Sequence, residues 1–584
     1  MQKHIKFLFL VFLGTANIMF AQDDDEKDLG TQTVTVTKAY SPTISDAFKI
    51  KSFPNMNDSI VLQKKPITYS IFSVPVASTF TPAKGKASRV ERIPPPALYN
   101  SYASAGGGNP ANILAKFYTS RTIDRESGYT VGLEHNSSRA NIKNTSLNNI
   151  FSRSRLDGNY KKRDRDVNWD FNVGAQHQMY NWYGLPNGVF DQATIDGIDE
   201  RQNYYMAEVG GHINVADSYF KNASLQYRRF WDATKSGENR VVFKPGFNFP
   251  VLDENLDIDL KVDYVNGNFK NAPLTSPDNT GGFGYGQLQV GIKPSVTLLR
   301  DDLVLNLGVN LVYGLDGERS ESSFYIYPAV TASYRLLSEF AIAYAGIEGE
   351  LEQNSYYDLV AENPYVSPTL NIVPTDKQYD AYLGLRGQLL PSLSYNIKGS
   401  YTAENRKLLY LLNPQRAGRG DDKGYNYGNS FQVFDDDVKT LGIFGELNVD
   451  VNRNFTLGIN AEYYNYNTET DNTAWNLPEV KSSLFMDYQI GEKWYAGANL
   501  FFVGQRNDLE TIGNASNNPE TFTATLIELD SYFDANAHIG YRLNDQLSVF
   551  VKAANIANNN YQRWANTPVQ GLQVLGGATY KFDF

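Results

Sequence analysis

The residues best equipped for chemistry are five histidines and a scatter of carboxylates. The histidines are His4, His135, His177, His212 and His538. His538 shares one side of an alternating segment with Asp530 and Asp534, an acid–histidine pairing of the kind that orients a general base. A hydrolase also needs a nucleophile or an activated water beside that base. Neither G-x-S-x-G nor H-E-x-x-H occurs in the chain. With no cysteine present, thiolate ligands, cysteine nucleophiles, disulfides and a lipidated cysteine anchor are all removed. The expectation is a non-enzyme with no metal site and no cofactor.

Two other groupings call for a reading. Asp257, Asp259, Asp263, Glu446, Asp450, Glu462, Asp530 and Asp534 all fall on the polar side of alternating segments, partly offset by Lys261 and Lys552. Lining a pore, they would form an acidic wall that favours cations; the plainer reading is a wet interior. The stretch "RAGRGDDKGYNYGNSFQVFDDD", residues 416 to 437, concentrates Arg416, Arg419, Asp421, Asp422, Tyr425, Tyr427, Asp435, Asp436 and Asp437. Its Arg-Gly-Asp triplet matches an adhesion tripeptide but is too short to be specific. Its aspartates lack the spaced ligand pattern of a calcium loop. It reads as a solvated surface loop, and its length makes it the first candidate for a partner-binding surface.

The elements that carry these groups are strands. In "LDIDLKVDY", residues 256 to 264, Leu256, Ile258, Leu260, Val262 and Tyr264 alternate with Asp257, Asp259, Lys261 and Asp263, which is the period of two and not of 3.6. The same alternation recurs in 167–175, 302–313, 441–451, 455–463, 529–541 and 547–553. Many of these segments reach the roughly ten residues that a tilted strand needs to cross a bilayer. Very short turns (300–302, 391–393, 491–493, 543–545) trade places with long polar connections (183–200, 266–282, 354–375, 408–437, 506–522), which is the signature of an outer-membrane barrel. The spacing predicts strands starting near 98, 112, 127, 149, 166, 200, 218, 237, 255, 283, 302, 320, 340, 375, 392, 437, 454, 476, 493, 523, 546 and 572. The predicted fold is therefore an all-β, transmembrane antiparallel β-barrel of 22 strands over residues 97 to 584, closed because hydrocarbon leaves no backbone group unpaired. Aromatics, 13% of the chain, fit interfacial girdles. Phe444 and Phe550 do not, since the alternation turns them inward.

Composition excludes other classes. No apolar run of bilayer-spanning length follows the first two dozen residues, so a helical membrane protein is excluded. A net charge of −11 argues against nucleic acid, whose backbone demands a basic face. "MQKHIKFLFLVFLGTANIMFAQ" has the basic start, apolar centre and small-residue end of a secretory signal peptide, assigned to 1–21. Residues 22–96 are rich in Pro and Ser/Thr, which prevents long ladders or helices; they read as a periplasmic or luminal extension.

The closing stretch "KAANIANNNYQRWANTPVQGLQVLGGATYKFDF" resembles the last hairpin of TonB-dependent receptors: Asn555 and Asn558 to Asn560, Tyr561, Pro568, Gly571, then a Gly-Gly strand ending in Tyr580, Phe582 and Phe584. Residues 102 to 138 are similar to the opening of Bacteroidota barrels of that type. "TQTVTVTKAYSPTISDAFKI" resembles the strand that opens a plug, but 22–96 is shorter than a full plug domain. The resemblance implies a cell-outer-membrane location and a terminal aromatic row read by the barrel-assembly machinery. It also implies contact with outer-membrane lipids. Two roles stay open: a channel or receptor acting in transport, with a surface lipoprotein as partner, or a non-transporting barrel subunit of a larger outer-membrane assembly or secretion complex.

Overall fold

The computed structural model describes residues 98–584, apart from 140–141, 273, 275–280, 417–421, 471–472 and 514–521. The regions assigned to the signal peptide and the N-terminal extension lie outside the described residues.

Alternating segments become antiparallel strands, each hydrogen-bonded to the next, and the set closes as one 22-stranded sheet. Closure joins the first strand, Ser101–Asn109, to the last, Gln573–Phe582, through nine register pairs from Ser101↔Phe582 to Asn109↔Val574. Side-chain bonds fasten the seam: Asn112 Nδ2 donates to Gln573 Oε1 at 2.8 Å, and the Ser104 and Thr579 hydroxyls meet at 2.9 Å. A closed ring leaves no strand edge to pair with another chain.

The two faces separate as the period requires. Ile326 (67% exposed) and Leu383 (68%), with Ile443, Leu307 and Val551, stand on the outside. So large an exposed apolar surface is what a bilayer covers. Polar partners face the lumen. Of the two inward aromatics that fit no girdle, Phe550 shares a specific packing role with five tyrosines, whereas Phe444 pairs with Lys398 and Glu462. Phe550, Tyr285, Tyr344, Tyr382, Tyr464 and Tyr495 are each register partners of a glycine on the neighbouring strand: Gly577, Gly267, Gly384, Gly346, Gly442 and Gly540. A Cβ built on any of those glycines would sit between 2.1 and 3.2 Å from the ring. The glycine accepts the ring and the ring shields its backbone, the cross-strand arrangement that rescues glycine in a sheet.

At one end, turns of two to four residues join the strands. At the other stand the long connections, which in barrels of this kind face outward. Strand starts fall close to the predicted positions with two corrections: the strand placed near 437 begins at Phe431, and a second difference lies near 523. The segment near 523 is not a wall strand: Phe522–Leu529 pairs with Arg506–Gly513 in a separate hairpin at the long-loop end, and the wall resumes at Tyr532–Arg542. Asp530 therefore lies exposed between the two, off the luminal wall.

Candidate functional site

The long loops do not stand away from the barrel; they fold across its mouth. The connection between strands Ala341–Glu352 and Thr375–Leu390 carries a short helix, α1, Tyr356–Glu362. Ser355 caps it, its hydroxyl accepting from the Asp358 amide and donating to Asp358 Oδ2 at 2.6 Å. Tyr356 is fully buried among Tyr204, Phe230 and Phe269, ring centroids 5.1 Å from both phenylalanines. Its hydroxyl donates to Asp232 Oδ2 at 2.8 Å. Its backbone N–H donates to Glu238 Oε2, which also accepts from the Tyr285 hydroxyl.

Further along, two nearby residues reach widely separated parts of the wall. The Tyr204 hydroxyl, on the sixth strand (Arg201–Val215), donates to the carbonyl of Pro364 at 3.0 Å. Val366 forms a parallel bridge with Phe431 at the start of the sixteenth strand (Phe431–Asn452). Ten strands of a 22-strand ring separate those contacts, so the loop spans the opening. One apolar cluster fills the space, joining wall residues (Tyr204, Met206, Phe230, Val265) to loop residues (Tyr356, Leu370, Trp564).

Neighbouring loops lock onto the first. The hairpin of Leu393–Leu412 and Phe431–Asn452 loses register between Glu404 and Lys407. There Arg406 takes φ +55°, its N–H donates to Asp437 Oδ1 at 2.8 Å and its carbonyl accepts from Thr375 Oγ1 at 3.0 Å. An irregularity of this kind bends the ladder. Asp508 is fully buried, accepting from the Leu412 and Leu509 amides and from Asn476 Nδ2 at 2.8 to 2.9 Å. Burial pushes its carboxyl up to about 6, despite the bonds that favour the charged form. Arg506 Nη2 donates to the carbonyl of Gln562 at 2.9 Å, and the Tyr183 hydroxyl to that of Pro568 at 2.8 Å.

Under α1 the wall presents cations. Arg240 grips Asp263 through two 2.9 Å bonds and reaches Asp358 at 3.0 Å. Arg228 donates to the Ser355 hydroxyl at 3.0 Å and stacks 3.9 Å over the Tyr357 ring. Below them is a luminal cavity of about 600 Å³ lined by His212, Lys244, Asp259, Lys261, Lys293 and Lys377, among others. A recess of about 760 Å³ lies on the opposite, outer face of the wall, among Ala103, Ala115, Ala175 and Ala207.

The proposed acidic wall is not assembled. Asp257 is held by Lys221 at 3.3 Å and by Asn248 at 2.9 Å, and Asp263 by Arg240 and Lys261. Asp259 lines the luminal cavity. Glu446 and Asp450 stand on the sixteenth strand and Glu462 on the seventeenth, seven and eight strands from the Asp257 group. Glu446 accepts from Asn448, and Glu462 from the Tyr464 hydroxyl. Asp534 faces the lumen beside Asn536. His538 lies against the Tyr495 ring, two register positions from Asn536.

The candidate partner loop is largely built into the cap. Tyr425 is buried against Trp182, ring centroids 5.2 Å apart, and Tyr427 against Phe190. The Arg416 amide donates to the Asn426 carbonyl. Asp435, Asp436 and Asp437 belong to the sixteenth strand, where Asp436 accepts from the Thr470 amide. Asp422 is exposed, while Arg419 and Asp421 lie outside the described residues. Sequence reading passed over residues 354–375 as one more polar loop. Its signal was the apolar content of Tyr356, Leu359, Val360, Val366, Leu370, Ile372 and Val373, too much for a solvated connection.

The ferripyoverdine receptor of the outer membrane of Pseudomonas aeruginosa superposes with a TM-score of 0.61 at 13% identity, covering 84% of this chain and 73% of that one. The fold is that of the TonB-dependent receptor barrels. The ferric-catecholate import receptor Fiu from E. coli K12 gives 0.58 at 11% identity, covering 83% of this chain and 82% of that one. The siderophore receptor PirA from Acinetobacter baumannii gives 0.59 at 12%, covering 82% and 80%. No protein-family model and no curated protein matches the chain.

Proposed function

We propose that this chain is an outer-membrane transport protein of the TonB-dependent-receptor type, a channel or receptor that its own loop cap holds shut from outside. The observation that carries the reading is the cap itself, bridging the mouth between the Pro364 and Val366 contacts above a polar, lysine-bearing lumen. A barrel of this width leaks unless something fills it. A seal made of polar contacts and one apolar cluster, rather than of wall strands, can open while the ring stays closed. The solute is taken directly or from a surface lipoprotein.

The deciding experiment is conductance of the purified full chain in planar bilayers, beside a variant in which residues 354–373 are replaced by a short Gly/Ser linker. The full chain is expected to be closed and the variant to conduct in discrete steps. A variant that stays closed would refute the transport reading.

A second reading is favoured by how completely the loops interlock, from Tyr183 to Pro568: a barrel that scaffolds a larger outer-membrane assembly or secretion complex and never conducts. Purification in mild detergent with mass spectrometry tests it. A lone monomer would sink it.

A further inference from the structure

The acidic wall expected from the sequence gives way, directly beneath α1, to an excess of cations. A cavity of about 180 Å³ is lined by Gln226, Arg228, Arg240, Lys244, Lys261 and Asp263. Among the lining residues four cations face one carboxylate, and that one is already committed: Asp263 is fully buried, taken by Arg240 through two bonds and approached by Lys261 at 3.4 Å. Lys244 makes no ion pair among the described residues. The Arg228 Nε–H is buried without an acceptor. Its Nη2 reaches carboxylates only at 3.5 Å (Asp358) and 3.8 Å (Glu238).

Buried donors without acceptors are costly, and guanidinium groups match oxyanions through paired bonds. The carboxylate that partly serves both arginines comes from the cap. Asp358 sits on α1, 3.0 Å from Arg240 and 3.5 Å from Arg228, with its side chain 49% exposed. It is the least enclosed acid of the group, since Glu238 and Asp263 are fully buried. Lys244 and Lys261 also line the 600 Å³ luminal cavity, so the two spaces share a wall.

We propose that this cavity binds a small oxyanion, the carboxylate, phosphate or sulfate group of a solute, and that binding there competes with Asp358 for Arg228 and Arg240 and loosens α1 from the wall. This deepens the transport reading and rests on it: the solute class is anionic, and the cap carries a built-in surrogate for it. The surrogate holds the cap shut when the site is otherwise empty.

The test uses inorganic phosphate and the full chain in detergent. Equilibrium dialysis with labelled phosphate is expected to show saturable binding. Lys244→Gln and Arg228→Gln should each weaken it tenfold or more, the loss expected for a charge-assisted bond. Lys398→Gln, elsewhere on the wall, should leave it within twofold. Asp358→Asn, which removes the competitor, should tighten binding. Lys244 bonds nothing that the fold needs, so its variant keeps the test valid should the Arg228 variant misfold. No saturable binding up to millimolar phosphate, or equal binding in wild type and Lys244→Gln, overturns the proposal. Failure of the transport reading looks different: phosphate binds, yet replacement of residues 354–373 opens no conductance.

Discussion

Truncating Tyr356 should undock the cap without unfolding the barrel, and the size of the effect can be worked from its surroundings. Tyr356 is fully buried, with two rings at 5.1 Å and one at 6.3 Å. Replacing such a ring by a methyl group costs about 3–5 kcal/mol. Asp232 loses one donor but keeps Thr234 Oγ1 at 2.8 Å and the Ser236 amide at 2.9 Å, adding on the order of 1 kcal/mol. Together they shift the docked-to-undocked ratio by roughly three to four powers of ten in Tyr356→Ala. Tyr356→Phe loses only the hydroxyl bond, about 1 kcal/mol or roughly fivefold. None of this falls on the strand ladder, to which α1 contributes no bond. The assay is hydrogen exchange at the Leu359 and Asn363 amides, which close the helix onto Ser355 and Leu359, compared with wall amides such as Val262 and Gln289. The Ala variant should speed exchange in the helix at least a hundred-fold, the Phe variant several-fold, and neither should move the wall. Equal acceleration in helix and wall would refute the claim that the cap is a separable unit; helix exchange that hardly changes would refute the packing argument.

Three other outcomes are expected. Asp508, with a folded value of about 6 against an ordinary 3.8, binds its proton more tightly folded than unfolded. The stability linked to this group is present below about pH 4 and lost as pH rises through 6, by on the order of 3 kcal/mol; exchange protection of the Leu412 and Leu509 amides, corrected for intrinsic rate, should be higher at pH 4.5 than at pH 7.5, and a rise toward pH 7.5 would contradict the assignment. Gly384→Val forces a side chain to within 2.3 Å of the Tyr344 ring and should lower stability by about 1–3 kcal/mol, read as earlier loss of the heat-resistant folded band on a gel, while the same change at Gly399, where a Cβ meets nothing within 4 Å, should do much less. Changing Phe582 to Ser and removing Phe584 should cut the yield of inserted barrel in cells yet spare refolding of purified chain into detergent; equal losses in both would remove the targeting role from that aromatic row.

The barrel was legible because a strand that faces lipid on one side and water on the other must write its period into the chain. Leu256 to Tyr264 could hardly be read otherwise, and Gly576, Ala578, Tyr580 and Phe582 fall on the seam where closure needs them. The wall was misread most near 523, where Phe522–Leu529 alternates as regularly as a wall strand but spends its hydrogen bonds on Arg506–Gly513. Periodicity reports pairing without naming the partner. The site was much less legible. Carboxylates such as Asp257 and Asp263 were visible, but the cations that offset them, Lys221 and Arg240, stand on other strands, and only register brings them together. Tyr425 and Tyr427 looked like a surface because loops usually are one; their burial depends on Trp182 and Phe190, more than two hundred residues earlier.

The bond between the Tyr183 hydroxyl and the Pro568 carbonyl joins residues 385 positions apart, and Trp564 packs against both Tyr410 and Phe431. The lid of this vessel is therefore knotted with its final stretch of thread. Along the chain every wall strand but the last, Gln573–Phe582, precedes the hairpin Gln562–Pro568, so these contacts of the cap can form only once nearly the whole wall sequence exists.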